Sequence, residues 1–336
     1  MVLEKCKLPM AKSDVSSYSN IAIAYSILKG NAKEDFDKIL CDKYVTCYYD
    51  SSAKFMQFSL PYYDHWCGDR NATFYQEINL QKVTFTNLNI DLIGFIKNCI
   101  KFDTYVHGMC NFKVFDPNWN CADKDSNLDY FLIFGYDDVE KNFFINYYDE
   151  FFSSKICKVS YSLFYESLIQ NDQENIRLFL IKYNNNASIT LDLQSSINEL
   201  SRYVYSQNPY PEYEYTKIYG IAAMMKFFEM VLLQINNRQN ISSRYIQSLK
   251  EHKFLMVKRI RYYISNRLIP DCFENDALEV NEIVEMICEY LNLYNETLDN
   301  DLSFNIVPLI QKMVSREYMY LSKVLECLKS DNEYKG

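Results

Sequence analysis

Residues 127–149 read NLDYFLIFGYDDVEKNFFINYYD, and this stretch leaves the chain few choices. Phe131, Ile133 and their neighbours form an apolar run too short for a helix and rich in aromatic and branched side chains. Gly135 ends the run, Asp137 and Asp138 start a turn, and Phe143 to Tyr148 make the return strand. The pattern predicts a buried strand running into a hairpin. Taken by itself, that is a sheet core.

The rest of the first half alternates short helices with strand-like runs. Asp14, Ser16 and Ser17 are placed to cap a helix over about Ser17 to Lys29, stopped at Gly30. Ile21, Ala24, Tyr25 and Leu28 share one face of it. KEDFDKIL is a second short helix, and KYVTCYY, KFMQFSL and ATFYQEI read as strands. IDLIGFIKNCIKF is amphipathic, with Leu92, Phe95, Ile96 and Cys99 inward and Asn87 or Asn89 as cap. DTYVHGMCNFKVF reads as a strand with a glycine irregularity. KICKVS, a helix SYSLFYESLIQ capped by Ser160, and a strand IRLFLIKY follow the hairpin. From Leu191 onward the signal is helical, near 192–206, 212–236, 242–267, 278–294 and 301–328. The chain therefore reads as α+β over 1–185 and as a helical bundle over 186–336.

Composition excludes several classes. A net charge of -9 disfavours non-specific binding to nucleic acid or to an anionic membrane. The most apolar later stretch, Ile218 to Ile235, is interrupted by Lys226 and Glu229, so it does not span a bilayer. The start, MVLEKCKLPMAKSD, lacks the apolar core of a signal peptide. The eleven cysteines are odd in number, without CxxC or zinc spacing. These features predict free thiols in a cytoplasmic protein, with no cofactor and no metal. No phosphate-cradling glycine loop occurs.

The hairpin resembles that of C39-like cysteine-peptidase folds, in particular the group around the butirosin biosynthesis protein H amino-terminal domain. Members of that group carry a His, apolar residues, GYDD, and then a strand with an Asp. The His and Asp complete a catalytic triad with a Cys on the first long helix. Here GYDD is residues 135–138, Asp129 holds the His position, Tyr147 falls near the Asp position, and Ser19 stands about where the Cys would be. Leu8-Pro9-Met10, Tyr219-Gly220-Ile221 and EHKFLMVKRIRYY (Glu251 to Tyr263) are similar to features of related proteins from nonribosomal-peptide-type gene clusters, which carry a helical extension. The resemblance implies a papain-like first domain and acyl transfer from a thioester on an acyl or peptidyl carrier protein to an amine. The alternative is a catalytically degenerate relative that binds a small-molecule biosynthetic intermediate or a partner protein.

The residues themselves weigh on that choice. Ser19, Asp129 and Tyr147 make a poor triad, because a carboxylate near its usual pKa is a weak base toward a hydroxyl. His65 and Cys67, two apart in DHWCGDRN, are a candidate relocated pair if that loop is extended. His107 and Cys110 are three apart on a strand and read as packing residues. His252 shares a helical face with Leu249, Met256, Arg259 and Tyr263. His252 and Arg259 are thus candidates either for a substrate contact or for a polar network within the bundle. Nothing in the sequence fixes the oligomeric state.

Overall fold

A computed structural model describes residues 4–41, 43, 45–51, 55–58, 73–81, 91–117, 128–149, 151–170, 175–186, 188–208 and 216–335, with 55–58, 73–81, 175 and 331–335 described by main chain alone. The first elements are β1 (Lys5–Lys7), α1 (Ser19–Ala32), α2 (Phe36–Leu40), β2 (Cys47–Asp50), β3 (Phe55–Phe58) and β4 (Thr73–Gln81). Next come α3 (Leu92–Lys101), β5 (Thr104–Asn111), β6 (Leu128–Asp137), β7 (Asn142–Tyr148), β8 (Ser154–Ser160), α4 (Tyr161–Ile169) and β9 (Asn175–Tyr183). The remainder is α5 (Leu193–Val204), β10 (Lys217–Tyr219), α6 (Gly220–Asn236), α7 (Ser243–Ser265), α8 (Phe273–Thr297) and α9 (Ser303–Lys335).

The fold is mixed α+β, and the chain forms two compact units. One holds Met1–Lys33 and Tyr63–Ser188; the other holds Glu34–Tyr62 and Ile189–Gly336. The sequence pattern draws one boundary near residue 185, whereas residues 34–62 group with the later, mostly helical residues. Pairing explains this: β2 runs antiparallel to β10 with Tyr48 opposite Tyr219, a match made between segments far apart in the chain.

In the α+β unit the sheet order is β4-β9-β5-β6-β7-β8, with β1 added to β6, and every pairing is antiparallel. The hairpin of β6 and β7 lies in the sheet interior as the sequence predicts, with Phe131, Leu132, Ile133, Phe143 and Ile145 fully buried. Ala22, Ile23 and Ile27 of α1 and Leu92, Ile96 and Ile100 of α3 join the same apolar core. The register between β6 and β7 shifts between Ile133 and Gly135. At Gly135 the neighbouring β1 comes so close that a Cβ would sit 2.5 Å from the Cys6 carbonyl oxygen. This glycine therefore admits a strand rather than ending one.

Two helix signals resolve differently from the sequence pattern. Gly30 does not stop α1, which runs on to Ala32. A Cβ at Gly30 would lie 2.7 Å from Met10 Cα, so the glycine lets residues 10–11 cross the helix. Asp91 caps α3, its carboxylate accepting from Gly94 N at 2.8 Å, while Asn87 and Asn89, the expected caps, lie outside the described residues. Ser160 caps α4 as predicted, accepting from Leu163 N.

The second unit packs α5 to α9 with a small antiparallel sheet, β10-β2-β3. Within the stretch predicted as helix from 212, Lys217–Tyr219 form β10 and the helix starts at Gly220; residues 212–215 lie outside the described residues. The core contains an ion pair whose members are each 1% exposed, Lys253 Nζ at 2.7 Å from Glu317. The Tyr203 hydroxyl accepts from Lys253 at 2.8 Å and donates to Glu317 at 2.9 Å, closing a triangle. Among the described residues, no helix is long and apolar enough to cross a membrane.

Candidate functional site

The GYDD turn carries structure. Asp137 accepts the main-chain N–H groups of Val139 and Glu140 and pairs with Lys5 at 2.7 Å. Asp138 pairs with Lys97 of α3 at 2.6 Å and accepts the Tyr161 hydroxyl of α4 at 3.0 Å. Burial works against charge on Asp138, but these partners outweigh it and hold its pKa below the usual range. The motif fastens the hairpin to β1 and to two helices.

Ser19 and Asp129 meet. Ser19 is the first residue of α1, and its hydroxyl donates to Asp129 Oδ1 at 3.3 Å. The same oxygen accepts the Tyr130 N–H at 2.7 Å. Asp129 is buried, as a carboxylate can be once hydrogen bonds replace water. Tyr147 stands on β7 opposite Phe131, two residues along β6 from Asp129. Its hydroxyl donates to Asp116 Oδ2 at 3.0 Å, and its ring lies 5.0 Å from that of Phe112. Burial, and then the Asp116 carboxylate, push the Tyr147 phenol well up, so it stays a neutral donor. Of the three triad-equivalent positions, two are hydrogen-bonded to each other and the third is tied to Asp116. Asp116 went unread in the sequence. It follows a short turn and lies 31 positions from Tyr147, with no periodic signal linking the two.

Two thiols lie beside this cluster. Cys110 is opposite Asp129 in the β5–β6 register and is fully buried. Burial raises its pKa far out of the thiolate range. Cys157 is opposite Ile145 on β8, and burial followed by the Asp116 charge pushes its thiol up to about 11. A thiol is nucleophilic as thiolate, so neither is poised to attack at neutral pH. His107 and Cys110 lie in an unbroken register and so face opposite sides of the sheet. His65 and Cys67, the candidate relocated pair, lie outside the described residues.

The structure gives His252 and Arg259 to the main chain. His252 Nε2 lies 2.8 Å from the Val45 carbonyl, and Arg259 donates from Nε to Leu40 O at 2.8 Å and from Nη2 to Lys43 O at 3.0 Å. Tyr263, on the same helical face, donates to Cys41 O at 3.2 Å. Both His252 and Arg259 are 1% exposed. Burial, and then the Lys253 charge, hold His252 well below its usual pKa, so it is a neutral ring. Together the three side chains hold the carbonyls of Leu40, Cys41, Lys43 and Val45, at the end of α2 and ahead of β2.

No protein-family model matches this chain, and no curated protein matches it at a significant level.

Proposed function

We infer that the chain is a specialised-metabolite biosynthesis protein of the cysteine-peptidase-like acyltransferase class in which the catalytic centre is degenerate. It binds an acyl or peptidyl chain carried by a carrier protein and does not transfer it. The observation that carries this reading is the 3.3 Å contact of Ser19 with Asp129. These are the positions where the resemblance puts a thiol and an imidazole. A serine hydroxyl bonded to a carboxylate has no base strong enough to deprotonate it at neutral pH. The raised thiols of Cys110 and Cys157 support the same reading.

The experiment uses the full chain and a carrier-bound acyl thioester, with titration calorimetry for binding and intact-protein mass spectrometry for adducts. The wild type is expected to bind the loaded carrier and to form no acyl adduct. The double variant Ser19→Cys/Asp129→His is expected to acquire an adduct at position 19. An adduct on any native cysteine overturns the degenerate reading. Failure to bind, with no adduct on the double variant, overturns the class.

A further inference from the structure

We propose that β8 is a dimerisation edge, on which a second copy of this chain adds its own β8 antiparallel across a two-fold axis through Cys157. In the sheet order β8 is terminal, and among the described residues no strand pairs with its outer side. Which main-chain groups face outward follows from two bonds at the ends of the β7–β8 pairing. Asp149 N donates to Ser153 O, and Tyr161 N donates to Lys141 O. Odd-numbered residues of β8 therefore turn their N–H and C=O toward β7, and Ser154, Ile156 and Lys158 turn theirs outward.

An open edge is a template for another strand unless charge, bulges or cover protect it. β8 has a continuous register with β7 over all seven residues. Its two lysines each have an acidic partner within the chain, Lys155 with Asp149 at 3.1 Å and Lys158 with Glu140, and these exposed pairs offset the lysine charge only in part. Ile156, in the middle of the strand, is an exposed apolar residue, at 60%.

The sequence SKICKVS is compatible with its own reversal. Centring the axis on Cys157 pairs all seven residues with all seven of the second copy. Ser154 then faces Ser160, Lys155 faces Val159, and Ile156 faces Lys158, each pair twice. No like charges oppose one another, and Ile156 and Lys158 both bring outward N–H and C=O groups to the junction. Such a self-complementary patch is the signature of an isologous interface.

The test is sedimentation velocity of the full chain from low to high micromolar concentration. The wild type is expected to reach twice the 40.0 kDa of one chain. Position 156 then reads the register by sign. Ile156→Lys opposes Lys158 of the second copy at two symmetric places and should raise the dissociation constant at least about tenfold relative to Ile156→Glu, which opposes it favourably. Phe102→Lys, exposed but away from this edge, should change nothing. A wild type that stays monomeric overturns the proposal. A dimer that is indifferent to both charges at 156, or weakened equally by both, also overturns it.

Discussion

The Lys253–Glu317–Tyr203 triangle sets a measurable stake in the helical unit. Lys253→Met removes the cation and leaves the Glu317 carboxylate, 1% exposed, with the Tyr203 hydroxyl as its described donor. Removing one partner of a buried pair costs about 3–5 kcal/mol, because an uncompensated charge stays buried. At roughly 2–4 °C per kcal/mol for a unit of this size, that lowers Tm by about 6–20 °C. Replacing all three groups together, Lys253→Met/Glu317→Leu/Tyr203→Phe, removes the charge as well as its partner. Stability should then return to within about 1–2 kcal/mol of wild type. Urea unfolding followed by circular dichroism measures both quantities. A single-variant cost under about 1 kcal/mol, or a triple variant as unstable as the single, would refute the reasoning.

Burial holds His107 down at about 4, while its bond to the Phe131 carbonyl partly opposes that shift. The unfolded chain takes up the proton near pH 6.5 and the folded chain does not, so stability is full above about 6.5 and falls toward 4, by about 3 kcal/mol for this group. His107→Gln should remove that part of the slope, and an unchanged pH profile would count against the assignment. Gly135→Ala should cost about 1–3 kcal/mol and speed hydrogen exchange in β1, because its Cβ meets the main chain of Cys6 at 2.5 Å. The nine described cysteines are free, and thiol titration under denaturing, non-reducing conditions should return all or nearly all of the eleven; a count several lower would reverse the expectation of a reducing compartment.

The sequence makes elements legible where one period runs unbroken. The β6–β7 hairpin, α4 behind Ser160, and the helices α7, α8 and α9 are of that kind. It misleads where one residue type serves two purposes. Gly30 and Gly135 both read as terminators, and both instead admit a neighbouring main chain. Asp14 reads as a cap for α1, yet its carboxylate accepts from the Tyr25 hydroxyl and Lys29 further along that helix. The segment 34–62 looks like a continuation of the first half, because the partner that claims β2 lies beyond residue 216. Local pattern carries no trace of such a pairing.

Side-chain roles follow the same division. Helical spacing places His252, Arg259 and Tyr263 on one face, and the structure keeps them there. What spacing cannot supply is the acceptor, because every main-chain carbonyl is chemically alike. The carbonyls these residues hold, Leu40, Cys41, Lys43 and Val45, are more than two hundred positions away. A ligand and a backbone segment offering the same oxygens are indistinguishable from the side of the donor. The contact of Ser19 with Asp129 is a different case, because there both partners are side chains and their types limit the chemistry. A hydroxyl and a carboxylate can hold each other and bind a polar group, but they cannot make a strong nucleophile between them. The residue types, more than their positions, therefore decide what such a contact can do.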